Sequence, residues 1–222
     1  VPWAGLAATR EDILRKKAAG YITVKLKVSD ANAGEILDLV QSLAGLEILV
    51  RLDGNRSLSE KTVAGLLAGL AKDGALWVEY FEEPFTHWRL PCLRESPVPL
   101  AADECASDPR FWPALLRQEG GPDFFVLKPT VNGGLFSLAR KTRMLTDAGK
   151  RVVFTSSLEA EPGRRSLLAF LGQNEEDTSA GLATGFLFRE NYLADAAEFR
   201  CLPDPAASEL SWLGSLAWRD LP

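Results

Sequence analysis

The chain has 222 residues, of which 46% are hydrophobic, and its formal net charge is −5 at pH 7. This length and apolar content are enough for one barrel-sized domain with a complete core. The acidic balance, with a pI near 5.1, excludes the basic field that binding to nucleic acid or to an anionic membrane surface requires.

The three cysteines favour a reducing compartment. Cys92, Cys105 and Cys201 form no CxxC pair and leave an odd number, which is more typical of free thiols in the cytoplasm than of a disulfide framework. The sequence has no run of about 18 apolar residues and no signal-peptide pattern, so we expect no membrane partner. Because the sequence starts at Val1 without a methionine, we expect that an upstream part was removed or lies on another chain.

Apolar runs alternate with helical patterns along the chain, which predicts a series of βα units. The first strand is predicted within Val1–Leu6, and Thr9 with Asp12 forms an approximate capping box for the first helix. The further strands are predicted at Tyr21–Lys27, Ile48–Asp53, Trp77–Glu82, Pro99–Asp103, Phe124–Lys128, Arg151–Thr155 and, most weakly patterned, Gly181–Phe188.

Helices are predicted between these strands. Ser57 and Glu60 form a capping box before the third helix, a short helix is predicted around His87–Leu93, and Asp108-Pro109 opens the helix after the fifth strand. The sequence therefore predicts a single α/β domain, a TIM-like (β/α)7β or (β/α)8 barrel. Residues 1–190 would form the barrel, and residues 191–222 a C-terminal extension packed on it.

Five consecutive predicted strands end in a charged residue, and in a barrel these ends converge on one rim, where the chemistry of such folds lies. The five are Lys27, Asp53, Glu82, Asp103 and Lys128. Three carboxylates with no cysteine or histidine among them favour Mg²⁺ or Mn²⁺ over zinc. The only histidine, His87, is expected to be a surface residue.

Lysines flank the three carboxylates along the chain. A lysine beside a cation or another lysine is expected to have a lowered pKa, which would suit it to act as a general base near neutral pH. A metal ion that binds a substrate carboxylate can stabilise the enediolate formed by loss of the α-proton. The pattern therefore predicts proton abstraction from a small carboxylate substrate.

The motifs around these residues resemble the muconate-lactonizing branch of the enolase superfamily, for which a lysine or histidine base with Mg²⁺ is the known pattern. The motifs are Lys25-Leu-Lys27, Arg51-Leu-Asp-Gly-Asn-Arg56, Phe81-Glu-Glu-Pro84, Ala102-Asp-Glu-Cys105 and Leu127-Lys-Pro-Thr130. With Gly133-Gly134 and Thr155-Ser-Ser-Leu-Glu159, the last of these is similar to the o-succinylbenzoate synthase family of menaquinone biosynthesis. The resemblance covers roughly residues 1 to 188.

This resemblance implies a metal site and two catalytic lysines. Asp53, Glu82 and Asp103 would ligate Mg²⁺. Lys27 would remove the α-proton and return it to the departing hydroxyl in a syn β-elimination of water from 2-succinyl-6-hydroxy-2,4-cyclohexadiene-1-carboxylate. Lys128 would remain cationic and stabilise the enediolate from the opposite face.

The resemblance also implies a set of substrate-binding residues. Lys25 would stabilise charge beside the base, and Arg51 and Asn55 would support the site rather than catalyse. Backbone N–H groups near Ser156 and Ser157 would hold the succinyl carboxylate, although a simple polar turn after the strand is an equal interpretation of these two serines.

Two other functions fit the same residues. An N-acylamino acid racemase of the same branch would use Lys27 and Lys128 as opposed bases, and a catalytically silent barrel could serve as a scaffold. Gly181-Leu-Ala-Thr-Gly185 stands where dipeptide epimerases carry Asp-x-Asp, which disfavours epimerisation of dipeptides. Family members also carry an N-terminal capping domain, of which we expect no part within this sequence, so a separate capping domain is a predicted partner.

Overall fold

Seven parallel strands form one sheet in which their spatial order follows the chain. The computed structural model describes residues 4–85, 91–108, 110–117, 121–159, 161–171 and 180–181. The strands are β1 (Ala4–Ala7), β2 (Thr23–Lys27), β3 (Leu49–Asp53), β4 (Val78–Glu82), β5 (Leu100–Ala102), β6 (Phe124–Leu127) and β7 (Arg151–Phe154). The predicted barrel class of parallel α/β fold is confirmed.

Helices connect the strands and cover the outer face of the sheet, as parallel strands require. They are α1 (Arg10–Ala18), α2 (Ala33–Gln41), α3 (Glu60–Asp73), α4 (Pro91–Arg94), α5 (Glu104–Ser107), α6 (Trp112–Arg117), α7 (Gly134–Asp147) and α8 (Glu161–Leu171), with a 3₁₀ turn at Ala75–Trp77. Within the described ranges, none of these helices has the length and apolar content needed to cross a bilayer.

A short segment at Ala180–Gly181 contacts both edges of the sheet. Gly181 pairs in parallel with Thr155, and its N–H donates to the carbonyl of Phe154 at 2.8 Å. On the other side, the N–H of Ala4 donates to the carbonyl of Ala180 at 2.9 Å. The sheet is therefore curled so that this segment links β7 to β1. The predicted eighth strand starts here, but residues 182–188 and the predicted C-terminal extension lie outside the described residues.

The strands are buried on both faces. A small inner cluster fills the sheet interior and consists of Tyr80, Ala101, Phe124, Val126 and Val153. A larger cluster lies between the sheet and the helices and includes Leu26, Leu52, Phe81, Phe125 and Leu127. Because successive residues of a strand point to opposite faces, each strand contributes to the interior and to the helix-facing layer in turn.

Helix α1 begins as predicted. The Oγ1 of Thr9 accepts a hydrogen bond from the N–H of Asp12 at 3.1 Å, and Oδ2 of Asp12 accepts one from the N–H of Thr9 at 3.1 Å. This reciprocal pair is a complete capping box.

The capping box predicted at Ser57 and Glu60 is wrong. Ser59 is the N-cap of α3, and its Oγ accepts from the N–H of Thr62 at 3.3 Å. The Oγ of Ser57 instead donates to the carbonyl of Gly54 at 2.8 Å. Ser57 thus closes the turn that follows β3, and the actual N-cap lies two residues after the predicted one.

The predicted helix opening at Asp108-Pro109 also differs from the structure. Helix α6 begins only at Trp112, and an unpredicted short helix, α5, precedes it. Oδ1 of Asp108 accepts from the backbone N–H and the Nε of Arg110 at 3.0 and 2.9 Å. Asp108 therefore closes a local turn between two short helices.

The short helix predicted around His87–Leu93 is observed in its second half as α4. His87 lies in residues 86–90, outside the described part of the chain, so its expected surface position stays a prediction.

Candidate active site

The strand pairing places the predicted site residues on one rim of the sheet. Lys27 is paired with Asp53 across β2 and β3, and Asp53 is paired with Glu82 across β3 and β4. Asp103 and Lys128 directly follow β5 and β6. The carboxyl ends of parallel strands meet at one edge, so the structure brings all five charged side chains to the rim that carries chemistry in barrels.

The lysines of β2 bind the carboxylates of β3 and β4. The Nζ of Lys25 lies 2.7 Å from Oδ2 of Asp53 and 2.8 Å from Oε1 of Glu82. The Nζ of Lys27 lies 2.5 Å from the same Oδ2 of Asp53 and donates to Oδ1 of Asn55 at 2.5 Å. Asp53 therefore receives two ammonium groups, and Lys25 bridges two strand ends.

The other side of the rim carries a separate ion pair. The Nζ of Lys128 lies 2.5 Å from Oδ2 of Asp103. The backbone N–H of Lys128 donates to Oδ1 of Asn132 at 2.7 Å, and Nδ2 of Asn132 donates to the carbonyl of Ala106 at 3.3 Å. Asn132 thus joins the loop after β6 to α5, which holds Lys128 close to Asp103.

The three carboxylates are almost completely buried. Asp53 and Glu82 are each 1% exposed, and Asp103 is 4% exposed. Burial raises the pKa of Glu82 to about 8; Lys25 opposes this rise, while the charges of Asp53 and Asp103 add to it. The rim therefore holds three carboxyl groups in a poorly solvated place, where a bound cation would favour their ionised forms.

The ion pairs also shift the ionisation of Lys25 and Asp53. Burial acts to lower the pKa of Lys25, but the charges of Glu82 and Asp53 outweigh burial and raise this pKa. Burial acts to raise the pKa of Asp53, and Lys25 and Lys27 outweigh it, so that pKa is lowered. The two carboxylates therefore keep Lys25 cationic, which fits the charge-stabilising role predicted for it, and the lowered pKa expected of a base lysine beside a metal stays a prediction.

A cavity of about 190 Å³ lies inside the sheet below this rim. Its polar lining includes Lys25, Lys27, Arg51 and Glu82. Its apolar lining is formed by side chains such as Val126. A small molecule with an anionic end would therefore meet cationic groups on one side and an apolar wall on the other.

Arg51 lies deep in this cavity wall and is held by its neighbours. Its guanidinium donates to both carboxylate oxygens of Glu79, at 2.7 and 3.2 Å, and lies 4.9 Å from the ring centroid of Tyr80. Arg51 is only 2% exposed. This arrangement fits the predicted supporting role of Arg51, while a direct contact with substrate stays a prediction.

Asn55 stands between two loops at the rim. Its N–H donates to Oδ1 of Asp53 at 3.0 Å, and its Nδ2 donates to Oε1 of Glu104 at 3.4 Å. With its side-chain oxygen on Lys27, Asn55 orients both a carboxylate and an amine of the site. The supporting role predicted for Asn55 fits these contacts.

Glu83 is a buried residue of the rim that the sequence reasoning did not identify. Its Oε1 accepts the backbone N–H groups of Asp103 at 3.0 Å and Cys105 at 2.7 Å. Burial raises the pKa of Glu83 to about 7. The sequence feature that could have identified Glu83 is the second glutamate in Phe81-Glu-Glu-Pro84. No local pattern, however, shows that a glutamate at the end of a strand is buried.

The donors predicted to hold a substrate carboxylate already hold a carboxylate of the chain. Oε2 of Glu159 accepts from the Oγ of Ser156 and the N–H of Ser157, both at 2.7 Å. Oε1 of Glu159 accepts a hydrogen bond from Oγ1 of Thr130 at 3.1 Å. The structure thus shows Ser156 and Ser157 in a closed polar turn, and substrate binding there stays a prediction that requires Glu159 to move.

The residues of the rim fit a hard divalent cation by their chemistry. Oε2 of Glu82 and Oδ1 of Asp103 are buried and have no hydrogen-bond partner among the described residues. Oxygen donors of this kind are those that Mg²⁺ prefers. In the described part of the chain, no three acidic, histidine or cysteine side chains are already gathered around one point. Lysine amines lie against Asp53, Glu82 and Asp103 instead.

The chain belongs to the enolase C-terminal domain-like family, whose model matches residues 8–169. Among curated proteins, it is 24% identical over 208 residues to o-succinylbenzoate synthase of Desulfotalea psychrophila, a match that covers 88% of this chain and 55% of that protein. The chain therefore spans about half the length of this curated relative.

Solved structures give the same fold. The o-succinylbenzoate synthase of Thermosynechococcus elongatus BP-1, complexed with Mg in its active site, has a TM-score of 0.73 at 23% identity and covers 96% of this chain and 66% of that chain. Muconate lactonizing enzyme from Pseudomonas putida has a TM-score of 0.72 at 22% identity. This match covers 86% of this chain and 56% of that chain. These similarities establish the barrel and extend over relatives with different activities.

Proposed function

We propose that this domain is the catalytic barrel of a Mg²⁺-dependent o-succinylbenzoate synthase, a hydro-lyase of menaquinone biosynthesis that acts in the cytoplasm. The observation that carries the proposal is the rim itself, where Asp53, Glu82 and Asp103 lie buried between lysines of β2 and the lysine after β6. The curated relative supports this substrate within the family.

The chain's own residues would divide the chemistry between them. Asp53, Glu82 and Asp103 would hold Mg²⁺, which when bound would supply positive charge to the substrate carboxylate. The amine of Lys27 would take the proton α to that carboxylate and then return it to the departing hydroxyl, so that water leaves. The cation of Lys128 would stabilise negative charge that develops on the substrate.

The proposed substrate is 2-succinyl-6-hydroxy-2,4-cyclohexadiene-1-carboxylate. Its ring carboxylate would lie near the lysines that line the cavity, and its succinyl group would extend toward the loop of Ser156 and Ser157. We further propose that a capping domain, joined to this chain or supplied separately, closes the rim and excludes water during turnover.

The test is turnover of this diene by the full chain with Mg²⁺ and then with EDTA, followed as loss of the diene absorbance. The Lys27→Ala variant should lose about 100-fold or more in kcat, while its melting temperature should fall by no more than about 4 °C, because this side chain is 57% exposed. Lys72→Ala, on the exposed surface of α3, is the matched control. Turnover by Lys27→Ala near the wild-type rate would reject Lys27 as the base.

A racemase remains a second candidate because the rim carries lysines on both sides of the carboxylates. In a racemase, Lys27 and Lys128 would each exchange the α-proton of one enantiomer of an N-acylamino acid. Lys128→Arg should then lose exchange of one enantiomer selectively in deuterium oxide. A dehydratase should show no such selectivity, and a chain that binds no Mg²⁺ and turns over neither substrate would support the scaffold interpretation.

A further inference from the structure

We propose that Glu83 is a positioning residue that sets the orientation of Asp103 and thereby shapes the cation site. This inference rests on the proposed function only through the assignment of Asp103 as a ligand. The hydrogen bonds that carry it are present irrespective of which reaction the rim performs.

Glu83 holds the start of the loop after β5 through one oxygen atom. Its Oε1 accepts the N–H groups of both Asp103 and Cys105, at 3.0 and 2.7 Å. The side chain of Glu83 is fully buried. A charged acceptor strengthens hydrogen bonds relative to a neutral one, and two donors on one oxygen determine the direction in which this loop leaves the strand.

The backbone of Glu83 is held just as firmly from the other side. Its N–H donates to the carbonyl of Ala101 at 2.9 Å, and its carbonyl accepts the N–H of Arg56 at 2.7 Å. A side chain at Gly54 would lie 3.1 Å from the carbonyl oxygen of Glu83, so the loop after β3 packs directly on it. Glu83 therefore connects the loops that follow β3 and β5.

The conformation of Glu83 shows that its position is imposed by these contacts. Its φ is 37°, in the left-handed region that residues other than glycine seldom adopt. Such a conformation persists only where surrounding contacts determine it, and it is most common at functional sites. In this conformation the side chain of Glu83 is buried and accepts the N–H of Asp103, while the preceding residue Glu82 lines the cavity.

The contacts of the second carboxylate oxygen of Glu83 show that this side chain does not act mainly as an ion-pair partner. Oε2 is buried without a hydrogen-bond partner among the described residues, and it lies 3.9 Å from Nε of Arg56. The hydrogen bonds of this side chain go to the backbone N–H groups of Asp103 and Cys105 and to the side chain of Cys105, all in the loop after β5. The contribution of this side chain is therefore directed at the geometry of the loop that carries Asp103.

The first test measures amide hydrogen exchange by NMR on the full chain without metal. In Glu83→Leu, which removes the acceptor and retains similar volume, the amides of Asp103 and Cys105 should exchange about tenfold faster or more. Glu83→Gln retains an oxygen at this place and should keep both rates within about threefold. Val63→Ala, a core substitution in α3 away from the rim, controls for general destabilisation.

The second test measures the affinity for Mn²⁺ by electron paramagnetic resonance. Glu83→Leu should weaken Mn²⁺ binding by about tenfold or more, as loss of a residue that supports a ligand does elsewhere, whereas Glu83→Gln and Val63→Ala should bind as the wild type does. If Glu83→Leu fails to fold, Glu83→Asp serves in its place, since the shorter side chain withdraws the acceptor and keeps the charge.

The outcomes separate this inference from the proposed function. Unchanged exchange at Asp103 and Cys105 in Glu83→Leu or Glu83→Asp overturns the positioning role, even if the wild type binds Mn²⁺. Faster exchange at these two amides with unchanged Mn²⁺ affinity overturns the link to the cation site. If the wild type binds no Mn²⁺, the proposed function and the link between Glu83 and the cation site are both contradicted. Faster exchange at the amides of Asp103 and Cys105 in Glu83→Leu would then still support the role of Glu83 in positioning the loop.

Discussion

Lys25 and Lys27 are two residues apart on one strand and have different environments. Both point to the same face of β2 because side chains alternate. The side chain of Lys25 is 23% exposed and bridges Asp53 and Glu82, whereas that of Lys27 is 57% exposed at the rim. The deeper lysine therefore neutralises buried charge, and the outer lysine, although bound to Asp53 and Asn55, is more accessible to a substrate at the rim.

This difference predicts unequal stability losses for two matched substitutions. In EDTA, Lys25→Met should lower the free energy of unfolding by about 3 kcal/mol, because it leaves two buried carboxylates without their shared cation. Lys27→Met should lower it by about 1 kcal/mol or less, because the Lys27 side chain is 57% exposed and Asp53 keeps Lys25 as its partner. Urea denaturation measures both, and equal losses would contradict the assigned depths of the two lysines.

At the scale of elements, α2 and α3 approach each other at a glycine. A methyl group on Gly69 would lie 2.3 Å from a Cδ atom of Leu37, whereas nothing lies within 4 Å of the corresponding position on Gly65. Both glycines are in the interior of α3, where glycine costs about 1 kcal/mol relative to alanine. Gly69 therefore serves close packing of the two helices, and Gly65 has no such role.

Two substitutions within α3 test this packing. Gly65→Ala should raise the free energy of unfolding by about 0.5–1 kcal/mol through its helix propensity alone. Gly69→Ala should show no gain, or a loss of about 1 kcal/mol, because Leu37 must move to admit the methyl group. Thermal and urea denaturation of the pair give the comparison, and an equal gain for both variants would show that α2 does not pack closely at Gly69.

At the scale of the whole molecule, the barrel depends on a link between β1 and β7, the first and last strands of the described part of the chain. Ala180 and Gly181 provide this link by hydrogen bonds to β1 on one side and β7 on the other. A side chain at Gly181 would lie 2.4 Å from Oγ1 of Thr155. The closure of the sheet thus requires a residue without a side chain at this position.

Gly181→Ala should therefore weaken the closure and lower the free energy of unfolding by about 1–3 kcal/mol. The amide of Ser156, which donates to the carbonyl of Gly181 at 3.1 Å, should exchange its hydrogen faster in this variant. Gly34→Ala in α2 is the matched control, since nothing lies within 4 Å of its added methyl group. No difference between the two variants in stability and exchange would show that this link does not hold the sheet closed.

The misplaced cap of α3 shows where local sequence signals are insufficient. Ser57 and Ser59 both satisfy the composition of an N-cap. In the structure the N-cap is Ser59. Its N–H donates to Oδ1 of Asp30 at 2.9 Å, and Asp30 lies in the loop after β2. A contact between two loops distant in sequence places the helix start, and no local motif records it.

The sequence by itself determined the order of the seven described strands, most of the helices between them, and the charged residues that end five strands. Hydrophobic periodicity and strand-end position are local properties, so Lys27, Asp53 and Glu82 could be assigned to one rim from the chain alone. Only the tertiary structure decided that Lys25 bridges two carboxylates, that Glu83 turns inward to hold Asp103, and that Glu159 occupies the donors of Ser156 and Ser157. These pairings depend on strand register and on buried electrostatics between separate loops, which arise only when the sheet curls and its loops come together.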